Sequence, residues 1–180
     1  MSKIIRTVTK LAVLLGLFSV GSGAAAQSAL PKPDKDTVLK AADIKAKLFP
    51  ETVFFRGQSA PVQMRNTGGV HFLDDFYVLA GMVDNSGYST GIREKYQAYL
   101  LTEVNLEIGG QKLKPGAYGM GFMEGGNFVV MDLAANDLFR VASTRDAEMK
   151  RPVPLQIVAT EGIKYRLYMG RDFVEFSRTR

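Results

Sequence analysis

Across residues 96–108 the chain alternates without a break. Tyr96, Ala98, Leu100, Thr102, Val104, Leu106 and Ile108 hold the even positions, and Gln97, Tyr99, Leu101, Glu103, Asn105 and Glu107 the odd ones. A period of two puts successive side chains on opposite faces of an extended strand. One face is thus made for a core and the other mostly for water. The spacing predicts a single strand over 96–108, and the same grammar recurs from Thr52 onward.

What separates the alternating runs is as informative as the runs themselves. Gly109-Gly110 supplies a two-residue reversal. A short return over 111–113 meets Pro115-Gly116, where proline presets one torsion and glycine permits positive φ. Strands over 117–123 and 128–133 flank Gly125-Gly126. In the last third, 155–160 turns at Glu161-Gly162 into 163–169, which turns at Gly170 into 173–176. Earlier strands are expected at 52–56, 61–65, 69–73 and 76–84. The last is apolar on both faces, which places it centrally in a sheet. These short strands predict a mainly β chain, an antiparallel β-sandwich or short barrel. One N-terminal helix is expected over 37–49. There Val38, Ala41, Ile44 and Leu48 recur at helical spacing, Asp34 and Asp36 precede them, Lys45 and Lys47 lie near the end, and Pro50 stops the run.

The stretch 104–118, Val-Asn-Leu-Glu-Ile-Gly-Gly-Gln-Lys-Leu-Lys-Pro-Gly-Ala-Tyr, resembles a hairpin of exported bacterial β-sandwich proteins belonging to an uncharacterised family, a domain of unknown function. In those proteins a strand ends at paired glycines, and Leu-x-Pro-Gly-x-Tyr leads into the next. The resemblance implies a sandwich and carries over no site residue. The tryptophan that the family places upstream has no counterpart, since this chain has none.

The first 26 residues read differently. Lys3, Arg6 and Lys10 precede an apolar run over 11–20, and Ala24-Ala25-Ala26 follows. This is the pattern of a bacterial secretory signal peptide, with cleavage expected between Ala26 and Gln27. About ten apolar residues are too few to cross a bilayer as a helix, so no transmembrane helix is expected in the mature chain. The expected organisation is a signal peptide over 1–26, a flexible lead-in over 27–36 and one β-rich domain over 37–180, placed in the periplasm or outside the cell. With no cysteine, the chain has no disulfide, no lipid-anchor site and no thiol chemistry. Removing the three basic leader residues leaves 20 basic residues against 18 acidic ones, a net charge of +2. That balance gives no reason to expect nucleic acid as a partner.

Candidate chemistry is sparse. His71 is the only histidine, and because Val70 and Phe72 share one face, His71 is expected on the other, towards solvent. With Asp74-Asp75 it could start a metal site, and with Ser59 and one of those aspartates a Ser-His-Asp set. No catalytic residue, metal ligand or cofactor is assigned. Asp84-Asn85-Ser86-Gly87 reads as a turn rather than a calcium loop. Ala117, Gly119 and Gly121 share a strand face opposite Tyr118, Met120 and Phe122. Glycines so placed either receive a bulky side chain from a facing sheet or floor a groove or cavity for an apolar or sugar-like ligand. The expected function is non-enzymatic binding of a small ligand or an envelope partner protein. The alternatives are a hydrolase using scattered carboxylates such as Asp132, Asp137, Asp146 and Glu148, and a small outer-membrane barrel.

Overall fold

The computed structural model describes residues 30–44 and 48–179, so the leader and its expected Ala26–Gln27 junction lie outside the described residues. The chain begins with β1 (Thr37–Lys40), β2 (Thr52–Phe55), β3 (Gln58–His71) and β4 (Tyr77–Val83). A one-turn helix, α1 (Thr90–Arg93), precedes β5 (Ala98–Thr102), β6 (Leu106–Ile108), β7 (Gln111–Leu113), β8 (Gly116–Met123) and β9 (Asn127–Met131). The last strands are β10 (Asp137–Ala142), β11 (Thr144–Arg145), β12 (Val153–Ala159), β13 (Lys164–Gly170) and β14 (Asp172–Arg178).

All pairing is antiparallel and forms two sheets. The first runs β1-β3-β4-β5-β8-β9-β10, with β2 also on β3; the second runs β12-β13-β14-β6-β7, with β11 also on β14. The architecture is consistent with the expected β-sandwich. Two stacked sheets are not the one closed cylinder that an outer-membrane barrel requires. No helix among the described residues is long and apolar enough to cross a membrane.

The central strands of the first sheet, β4, β5 and β9, are buried on both faces. Towards the second sheet they present Val78, Ala80, Leu100 and Phe128, which meet Leu106, Leu167 and Phe176. On their outer face Leu79, Val129 and Met131 lie under Phe49, Phe55, Ile92 and Tyr96, brought there by β2, α1 and their loops. This explains why β4 is apolar on both faces and central, as its sequence predicts.

Several expectations need correction. The helix over 37–49 does not form in its first half, where Thr37–Lys40 is strand β1 and a turn follows; residues 45–47 lie outside the described residues. Pairing decides the matter. Val38 and Leu39 sit opposite Val70 and Gly69 of β3, and that ladder outweighs a local helical spacing. The expected strands 61–65 and 69–73 are one strand, β3, whose register against β4 shifts between Val62 and Thr67. The single strand over 96–108 is two. After Thr102 the chain turns a corner, and β6 joins the opposite sheet. The Thr102 hydroxyl holds this corner, donating to the Val104 carbonyl at 2.7 Å and accepting the Val104 N–H at 3.2 Å. Inward positions stay inward on both sides of the corner, so the alternation survives the break. β10 and β11 had no counterpart in the sequence reading.

A groove between two free edges

Two features of β3 shape a groove with an apolar lining. The first is Gly68. A side chain placed there would begin 3.1 Å from the Ile157 nitrogen and 3.5 Å from the Gln156 α-carbon. The absence of that side chain lets β12 cross β3 almost backbone to backbone. The second is the register shift before Thr67, where the Thr67 hydroxyl donates to the Met64 carbonyl at 3.0 Å. Beyond the end of β1, whose last residue Lys40 pairs with Gly68, the Arg65–Thr67 stretch of β3 is left without a strand on that side.

Here the first sheet ends in β1 and the second in β12. Neither outer edge is paired with a strand among the described residues. Between them lies a groove of about 600 Å³. Its walls are Val38 and Leu39 on one side and Val153, Leu155, Ile157 and Val158 on the other. Val153 and Val158 are each 40% exposed, an unusual position for two valines on one short strand. Lys40 and Arg65 also line the groove, and no carboxylate does. Neither cation forms an ion pair with a described carboxylate. Pro154 removes a backbone donor from the β12 edge, and the register against β13 shifts between Val153 and Gln156. The space between the sheets themselves is filled. A gap lined by Val78, Leu100 and Ile157 measures about 10 Å³, room for no more than one water.

Residues singled out in the sequence lie elsewhere. His71 is on the face opposite Val70 and Phe72, as its neighbours dictate, but that face is covered. Only 2% of His71 is exposed, and its ring stacks on Tyr77 at 4.1 Å. The expectation of a solvent-facing imidazole is corrected by this outer layer. His71 Nε2 lies 2.6 Å from Asp75 Oδ1. The Tyr77 hydroxyl is buried without a hydrogen bond, and burial first, then the Asp75 and Glu103 carboxylates, push its pKa up.

Asp74 does not join this group. It takes a two-pronged ion pair from Arg178, both contacts 2.7 Å, which holds its carboxyl below the ordinary aspartate value. Ser59 stands at the far end of β3, paired with Phe54, so Ser59, His71 and Asp75 do not converge. No group of three metal-ligating side chains occurs among the described residues.

A second, more polar cleft of about 310 Å³ lies beside Asp36, Tyr165 and Arg178. The Tyr165 hydroxyl donates to Asp36 at 3.2 Å, while burial and then that carboxylate raise its pKa to about 12. Asp36 also accepts the Leu73 N–H at 2.9 Å, which ties the lead-in to the 72–76 turn. Neither cleft holds two facing carboxylates, the arrangement a carboxylate hydrolase needs.

The glycine face of β8 is filled. A side chain at Gly119 would strike the Phe55 ring, and one at Gly121 would strike the Lys95 carbonyl. Phe55 in turn stacks on Tyr96 at 3.8 Å. No groove lies over these glycines, but the space is not filled from the facing sheet either: Phe55 of β2 fills it at Gly119, and the Lys95 backbone does so at Gly121.

The fold defines a two-sheet antiparallel β structure with one face of one sheet covered by its own loops. No family model, curated protein or solved structure matches the chain.

Proposed function

We propose that the protein is an exported, non-enzymatic binding domain that takes an apolar small ligand in the groove between β1 and β12. One observation carries this reading. The groove is concave, walled by aliphatic side chains and of small-molecule size, within the range of about 300–1,000 Å³ usual for such sites. Two half-exposed valines on its wall cost solvation while the groove is empty and regain it when an apolar body covers them.

The test is a titration with dodecanol followed by NMR. Amide shifts confined to Thr67, Gly68 and Val158, with Gly119 unmoved, are the expected result, and Val158→Glu should abolish them. Shifts absent from all three positions refute the reading.

A second reading, contact with an envelope protein, rests on a different surface. Leu73, Phe76 and Ile163 are exposed at the end of the sandwich that carries Arg178, whose guanidinium lies 5.8 Å from the Phe76 ring. Photo-crosslinking from position 163 in cells tests it. A discrete adduct supports the contact, and an unmodified chain counts against it.

A further inference from the structure

We infer that the ligand of this groove is a single-chain amphiphile with an anionic head, a long-chain carboxylate being the simplest member. The inference rests on the apolar-ligand reading above and adds the head-group charge and the orientation.

Charge complementarity points to an anion. Lys40 and Arg65 are the two charged residues on the lining, both positive, both exposed and neither in an ion pair with a described carboxylate. Lys40 closes β1, and Arg65 lies on the part of β3 that β1 no longer covers. Both cations therefore lie at one stretch of the groove, Lys40 at the end of β1 and Arg65 just beyond it. The valines of β12 form its opposite wall. A carboxylate between a lysine and an arginine gains charge-assisted hydrogen bonds, and its chain covers Val153 and Val158.

The same edge argues against an extended peptide as the occupant. A peptide added to β12 would need a regular row of donors. Pro154 has no N–H, Pro152 precedes the strand, and the register shifts at its start. Those devices deter strand addition at the β12 edge, so the contact this wall offers is through its side chains.

The test compares laurate, dodecanol and dodecylammonium, each below its aggregation threshold, in competition with a dansyl-labelled fatty acid on the purified protein. Laurate should bind at least about tenfold more tightly than dodecanol, and dodecylammonium most weakly. Raising the salt concentration should shrink the laurate advantage, because exposed ion pairs are screened. Lys40→Ala combined with Arg65→Ala should erase the advantage, so that laurate binds the variant no more tightly than dodecanol binds it. Both positions are on the surface, and dodecanol binding reports that the variant is folded.

Equal affinity for the three compounds overturns the anionic assignment while the apolar-ligand reading stands. Binding of none of them removes both. An extended peptide that displaces the probe where laurate does not overturns the inference in favour of strand-like recognition.

Discussion

Gly121 and Gly68 serve the same purpose on two sides of one sheet, with different results. At Gly121 the outer layer descends until the Lys95 carbonyl occupies the place of a side chain. At Gly68 the β12 backbone stays farther off, 3.1 Å from where a side chain would begin, and immediately beside it the wall falls away into a groove. The difference is where the chain continues. Around Gly121 the covering layer is tied down from both directions: Gln97 accepts the Phe122 N–H at 3.0 Å and donates to the Phe122 carbonyl at 2.9 Å. Around Gly68 two strands simply end their sheets, and nothing described pairs with their outer edges. Close approach thus seals a surface only where a hydrogen-bonded layer follows it.

Substitutions at these glycines can break that comparison. Gly121→Ala should have the largest effect, at or above about 3 kcal/mol of lost stability, because a backbone carbonyl cannot swing aside as a side chain can. Chemical denaturation measures it, and a change within error would show the covering layer to be loose. Gly68→Ala should cost less, about 1 kcal/mol, since an edge strand can retreat by a few tenths of an ångström. If Gly68→Ala proved as damaging as Gly121→Ala, the open edge would be as rigid as the sealed face.

The smallest effect concerns Asp74. Arg178 holds its carboxyl below the ordinary value, so the contribution is present above the unfolded-state value. It is lost as pH falls through the lower folded value. Asp74→Asn should therefore lower Tm slightly at neutral pH, and the gap from the parent should shrink as pH falls below the ordinary aspartate value of about 4. A gap that widened on acidification would contradict this sign.

Much of the fold is legible because strand alternation and turn glycines are local. Gly109 and Gly110 adopt φ of 54° and 85°, values glycine enters without penalty, and the hairpin falls where the pair predicts. The corner at 102–105 is hidden because Thr102 and Val104 both stay inward, so the period never falters. β10 escapes because its residues alternate between exposed and half-buried and leave little apolar signal. The burial of His71 depends on an outer layer that its own neighbours do not announce. The groove is still less visible. Its walls come from three stretches far apart in sequence, and only Gly68 and the prolines around Val153 leave a trace in the chain.

The corner at Thr102 has a mechanical consequence. It, the passage from β7 to β8 and the passage from β10 to β11 all carry the backbone from one sheet to the other. These links form a spine, so the sheets can part like a book's covers only along the β1–β12 margin. Slow breathing of the molecule should begin at that margin, and hydrogen exchange should fade from there towards the stitched side.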